Sequence, residues 1–183
     1  MARRSQRTMT ARGVLVPRFA LFLALSLTLW GLAACGGPPP PPPLPPTVVE
    51  LTLTAASDAN PSASGEGSPV MLRVYQLASS TAFNGAEFFP LFNGDADLLK
   101  SDLIKRDDLI LSPGQTKTLT LMPKDDVTAI GVFAAYRDFQ HAAWRGTAEV
   151  PPHQTTRVLV TASGHGVTVK ADPAPAPPAK PGS

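Results

Sequence analysis

The sequence predicts an all-β protein: a two-sheet β-sandwich of about eight strands with a small helical insertion. Three observations carry that expectation. Apolar and polar residues alternate over short segments between Thr47 and Lys170, and clusters of Gly, Pro, Asn and Ser separate those segments. One stretch, residues 78–101, breaks the alternation and gathers phenylalanines.

The first strand is "VELTLT", with Val49, Leu51 and Leu53 on one face and Glu50, Thr52 and Thr54 on the other. "SDANPSASGEGSP" follows and cannot continue a strand, so it is a long exposed loop. "VMLRVYQL" resumes the pattern, with either Val70, Leu72 and Val74 or the opposite set containing Tyr75 turned inward. In the insertion Phe83, Phe88, Phe89, Leu91 and Phe92 should pack onto one sheet. Asn93-Gly94 reads as a helix stop there, and Asp95 as the N-cap of a short "ADLLK" turn. An aromatic ligand site is the alternative reading of that cluster, but it lacks nearby polar anchors. Strands return at Leu103–Leu111 and at "TKTLTL", joined by the turn "SPGQ". "TAIGVFAAYR" is apolar on both faces, as a central strand would be. "WRGTAEV", "TTRVLVTA" and "GVTVK" supply the last three strands, and residues 171–183 form an Ala/Pro-rich tail expected to be disordered.

The amino terminus reads as an export signal. Arg3, Arg4, Arg7, Arg12 and Arg18, with no acidic residue, precede the apolar run "FALFLALSLTLW". Phe19 to Ala34 is 16 residues, short of the roughly 20 that a helix needs to cross a bilayer. Met9 could equally serve as the start, since the basic segment after it suffices. The run ends in Leu32-Ala33-Ala34-Cys35, which resembles the lipobox of bacterial lipoproteins. That resemblance implies cleavage after Ala34, a diacylglycerol thioether on Cys35 and an N-acyl lipid on its new amino group. Two or three acyl chains hold a domain on a membrane where one does not. Gly36 stands where aspartate would favour inner-membrane retention in many enteric bacteria, so outer-membrane sorting is expected. Residues 35–46 then form a lipidated cysteine and a spacer: Pro38 to Pro46, with Leu44 the one non-proline, should form a polyproline rod of roughly 28 Å.

Export changes the charge. Five of the 16 basic residues and none of the 14 acidic ones fall in residues 1–34, which leaves 11 against 14, a net −3. No nucleic-acid-binding patch follows from the precursor's basic balance. Cys35 is the sole cysteine, so the exported domain at residues 47–170 must be held together by packing.

No catalytic constellation is legible. His141, His153 and His165 fall in separate loops without zinc spacing, and Asp107-Asp108 and Asp125-Asp126 are adjacent carboxylates of the usual solvated kind. The sequence holds neither a phosphate-cradling glycine loop nor a nucleophile elbow. An enzyme is not expected, and no cofactor beyond the covalent lipid. A competing role is a lipoprotein that binds a small molecule or glycan on the sandwich face, around Trp144, Tyr136 and His141.

The order "LTLTAASDANPSASGEGSPVMLRVYQL", "FFPLFNGD", "LSPGQTKTLTL", "IGVFAAYRD" and "WRGTAEV" resembles the outer-membrane lipoproteins of type VI secretion systems, the TssJ (SciN) family. The likeness runs from Cys35 to about Lys170. It implies a transthyretin-like sandwich tethered to the outer membrane and facing the periplasm. The implied partner is the carboxy-terminal periplasmic domain of TssM, the IcmF-like inner-membrane protein, in the trans-envelope complex, with no small-molecule substrate. In the family the loop between the first two strands meets that partner. Here this corresponds to Asp58, Asn60, Pro61, Ser62, Ser64, Gly65, Glu66, Gly67 and Ser68, with Asn60, Pro61 and Glu66 the preferred contacts.

Overall fold

The structure is a computed structural model, and it describes residues 40–173. The expected signal sequence, Cys35, the first prolines of the expected spacer and the residues beyond Pro173 lie outside the described residues. Alternating patterns become eight strands: β1 (Val48–Ala55), β2 (Val70–Leu77), β3 (Leu103–Leu111), β4 (Thr116–Leu121), β5 (Ala129–Ala135), β6 (Arg145–Glu149), β7 (Thr155–Ser163) and β8 (Gly166–Pro173). Between β2 and β3 lie helices α1 (Thr81–Gly85) and α2 (Phe88–Leu99) and a 3-10 turn at Lys100–Asp102. Two four-stranded sheets result, ordered β4-β1-β7-β8 and β3-β2-β5-β6. β1 runs parallel to β7 from Val48↔Thr155 to Ala55↔Ala162, whereas every other pairing is antiparallel.

The main core lies between the sheets. Val49, Leu51 and Leu53 of β1 and Val158 and Val160 of β7 meet Val70, Leu72 and Val74 of β2 and Ile130 and Val132 of β5. The choice left open for β2 resolves in favour of both faces. Its outward residues Tyr75 and Leu77, with Ala129 and Phe133 of β5, form a second core under Phe83, Phe88, Leu91 and Leu99 of the helices. The insertion is therefore a lid. Without it the outward aromatics of β2 and β5 would face water, at about 1.5–3 kcal/mol for each large apolar side chain.

Aromatic contacts set the lid's position. Phe88 stacks on Phe139 at 4.3 Å and meets Trp144 edge-on at 5.3 Å and Phe133 at 5.1 Å. Arg145 donates to the carbonyls of Phe83 and Ala86 at the end of α1 while its guanidinium lies 4.6 Å from the Trp144 ring centre. Gly131 leaves room for this layer, because a Cβ there would sit 2.9 Å from Leu77 and 3.1 Å from Phe83.

The break read at Asn93-Gly94 is present: Gly94 leaves helical backbone (φ −150, ψ 44) in a kink that parts α2 into two helical segments, the second ending at Leu99. Two other local expectations are corrected. Asp95 is not an exposed cap but is 4% exposed, turned toward the sheet. It accepts hydrogen bonds from Tyr75 Oη at 2.9 Å and from Arg106 Nη1 at 2.8 and 2.9 Å, with Arg73 Nη1 at 3.7 Å. A buried carboxylate needs such partners, and the kink is what aims it at them. β8 also takes in Ala171 to Pro173, which the sequence had assigned to the tail, because β7 offers partners as far as Thr156↔Pro173.

Burial would raise the Asp95 pKa, but the hydrogen bonds from Arg106 and Tyr75 and the charges of Arg106 and Arg73 outweigh it and hold the carboxyl below its ordinary value. Asp95→Asn should cost about 3 kcal/mol, the low end for breaking a buried pair because Arg106 is partly exposed, and should lower the urea midpoint. A depressed carboxyl contributes in full above about pH 4, the unfolded value, and the contribution is lost as pH falls through the folded value. The stability gap between wild type and variant should therefore close in acid; a gap undiminished at low pH would place the loss in packing instead.

Candidate functional site

Strand direction sorts the connections. The loops β1–β2, β3–β4, β5–β6 and β7–β8 all emerge at one pole of the sandwich. The lead-in to β1, the points where the chain leaves β2 for the helical lid and returns to β3, the β4–β5 and β6–β7 connections and the end of β8 lie at the other, while the lid itself covers the outer face of the second sheet. The β1–β2 loop singled out by the sequence is thus separated by the length of β1, about 26 Å at 3.3 Å per residue, from the point where the amino-terminal segment arrives.

The loop is built rather than slack. Ser68 N donates to Ala59 O at 2.8 Å, tying its two limbs together, and Ser62 N donates to Glu66 O at 2.7 Å across the tip. Gly65 completes that tip at φ +85, and Ser62 Oγ lies 2.8 Å from Ser64 Oγ. Gly67 allows the close approach of the limbs, since a Cβ there would fall 2.1 Å from Ser57 O. Ser64, Gly65 and Glu66 are exposed, as is Asp58, whose carboxylate lies beside Gly164 in the β7–β8 turn; Pro61, Ser62, Gly67 and Ser68 are half-buried.

Asn60 behaves differently from its expected role. It is 7% exposed, sits at φ +48, and spends its amide inside the protein. Nδ2 donates to Pro69 O at 2.8 Å, and Oδ1 accepts from Arg137 N at 2.8 Å. Its side chain positions the loop against the β5–β6 connection and is not presented outward. The signal was available, because Asn is the residue other than Gly that best tolerates left-handed backbone. Tyr136 supports the same pole from beneath: it is buried, and its hydroxyl lies near the Ser163 backbone with no hydrogen bond of normal geometry.

A second feature had no sequence signal. At the opposite pole His153 adopts φ +60, its N–H donates to Thr47 Oγ1 at 2.9 Å, and its Nδ1 lies 3.1 Å from Pro45 O. The β6–β7 turn therefore grips the chain as it enters β1.

Among the described residues no group of three or more His, Cys, Asp or Glu side chains could hold a metal ion. His141 pairs with Asp138 at 2.7 Å on the open surface, and Ser112 lies in the β3–β4 turn, where its N–H donates to Gln115 Oε1. Trp144, Tyr136 and His141 do not form a ligand concavity: Tyr136 is buried, Trp144 is packed against Phe88 and Phe133, and His141 points to solvent. A shallow hollow on the outer face of the first sheet is lined by Glu50, Thr52, Thr118, Thr120, Arg157 and Leu159, with no aromatic ring on which a sugar could stack.

Comparison with known proteins gives the arrangement a context. Residues 47–165 match the family described as type VI secretion lipoprotein, VasD, EvfM, TssJ, VC_A0113. The T6SS lipoprotein TssJ1 from Pseudomonas aeruginosa is similar over 72% of this chain and all of its own, at 36% identity and TM-score 0.68. Serratia marcescens Lip, a membrane-bound component of the type VI secretion system, is 27% identical over 68% of this chain and 98% of its own, with TM-score 0.63. A chain in the structure described as the T6SS protein TssM C-terminal domain (869-1107) from EAEC is 26% identical over 68% of this chain and 98% of that one, with TM-score 0.56. No curated protein matches the chain.

If Asn60 is the loop's support, Asn60→Ala should destabilise the domain by about 1–3 kcal/mol, from two lost hydrogen bonds and a strained φ. Asn60→Gly, which relieves the backbone, should recover part of the loss in the same urea titration. Equal midpoints for the two variants would show that φ strain plays no part.

Proposed function

The chain belongs to the type VI secretion lipoprotein family, TssJ (SciN), and from that membership we propose that it is the outer-membrane-anchored, periplasm-facing lipoprotein of the trans-envelope complex, recruiting the carboxy-terminal periplasmic domain of a TssM/IcmF-like inner-membrane protein. The observation that carries the reading is polar separation: the β1–β2 loop is held in shape at the pole opposite the lead-in from Cys35. A contact surface there faces away from the membrane that holds the lipid. The occurrence of a similar chain in a structure of the TssM carboxy-terminal domain supports the choice of partner.

In this mechanism the lipid on Cys35 fixes the domain on one membrane and the proline spacer sets its stand-off. Confinement raises the effective concentration of the loop for a partner reaching across the periplasm, so that individually modest contacts suffice for several copies to assemble. The loop contributes exposed backbone groups on a rigid sandwich, and Glu66, Ser64 and Pro61 at its tip are the proposed contacts. Asn60 and Gly67 act by keeping that tip in place.

Binding of a soluble fragment, residues 43–173, to the purified periplasmic domain of the organism's TssM-like protein tests the partner. Replacing Ser62 to Glu66 with Gly-Ser of equal length, while retaining Asn60 and Gly67, should abolish binding and leave the melting temperature within a few degrees of the parent. Binding retained would move the interface elsewhere on the sandwich, and no binding by the folded parent would overturn the partner assignment. Cys35→Ser should leave fold and affinity intact and abolish secretion of the system's tube protein into the medium; full secretion by that strain would sink the anchoring role.

A further inference from the structure

β1 is held at both ends by the terminal rungs of its two ladders and by two bonds outside them, from His153 N–H to Thr47 Oγ1 and from Gly114 N to Ala55 O. At the start, Val48 N donates to Gln154 O at 3.1 Å, and the His153 N–H holds Thr47, which is 3% exposed. At the finish, Ala55 N donates to Gln115 O at 2.9 Å, Gly114 N to Ala55 O at 2.8 Å and Ala56 N to Ala162 O at 2.8 Å. Between these grips the strand is internal to its sheet, paired with β4 on one side and with β7 on the other.

We propose that β1 has a mechanical function: it is a nearly inextensible tie that carries tension from the amino-terminal tether to the β1–β2 loop without loading the rest of the fold. The inference rests on the reading above, that the anchor is amino-terminal and the partner contact lies in that loop. A pull favours unfolding in proportion to the length the chain gains by it. A strand already rises about 3.3 Å per residue against a limit of about 3.6 Å, so the eight residues of β1 can gain only about 2 Å. Tension between its ends is borne by covalent backbone and has almost no extension to do work through.

Other attachment points would not share this property. A load between the amino-terminal segment and Lys170 acts midway along β8, where Lys170 is level with Leu159 of β7 and Thr52 of β1. β8 is an edge strand whose one ladder partner is β7, so it can be peeled off bond by bond. Unravelling from Thr47 to Lys170 would release 124 residues, about 400 Å of chain. The same tension that β1 tolerates would then do large work on the folded state. Placing anchor and contact at the two ends of one extended strand is what spares the sandwich.

The test uses the full unlipidated chain, whose single native cysteine, Cys35, takes one end of a double-stranded DNA spring. The other end is attached at Ser57→Cys, on an exposed residue just past β1, or at Lys170→Cys, and each conjugate is compared with its own spring relaxed by nicking. Urea midpoints are read by far-UV circular dichroism. Tension should leave the midpoint of the Cys35–Ser57 pair unmoved and lower that of the Cys35–Lys170 pair. A drop in the Ser57 pair as large as in the Lys170 pair, or no difference between the pairs, overturns the proposal. The measurement requires no partner, so its failure is separate from failure of the functional reading, which the binding titration decides.

Discussion

The buried carboxylate of Asp95 is the interaction on which the second half of the molecule depends. β2 and β5 are apolar on both faces, so the sandwich is complete only when its second sheet is covered from outside as well. The cover is a pair of short helices that could not hold together alone, since helices of this length are marginal in water. What ties them to the sheet, beyond phenylalanine packing, is one anion from α2 that receives Tyr75 from β2 and Arg106 from β3. Arg73 of β2 strengthens the tie, since its Nη1 also donates to the Phe92 carbonyl at 2.7 Å while its guanidinium lies 5.1 Å from the Phe92 ring centre. The lid is therefore fixed by charge at one end and by the Arg145 and Trp144 pair at the other.

Much of the architecture was legible because it follows from period. Alternation and turn residues located seven of the eight strands, and the doubly apolar "TAIGVFAAYR" located the remaining, interior one. What was not legible depends on partners far away in sequence. Asp95 read as a helix cap because the residues that bury it, Tyr75 and Arg106, lie 20 and 11 positions away, and no local pattern links them. The ambiguity of β2 had the same origin, as both of its faces proved to be inward once the lid was present.

The candidate loop divides in a similar way. Its position and polarity were visible in "SDANPSASGEGSP", and family resemblance gave it a role. The division of labour inside it was not visible: Asn60 and Gly67 hold the shape, while Ser64 and Glu66 face outward. Only the 77-residue span from Asn60 to Arg137 separates the two classes, and composition is blind to it. The latch of His153 on Thr47 spans 106 residues and was equally hidden.

The parallel pairing of β1 with β7 sets the order of assembly. The strands' side chains meet across a separation of 107 residues, as in the ion pair of Glu50 with Arg157. Contacts of such long range are late and slow to form, because the chain entropy of closing the loop comes before any reward. β1 is the first of the eight described strands to be synthesised, yet one of its two ladders must wait for nearly the last of them. Until β7 arrives, an extended apolar strand has an open edge, the condition under which chains pair with the wrong neighbour. The protein's most exposed moment is thus in its biogenesis, when the segment destined to be its best-braced strand is its least protected.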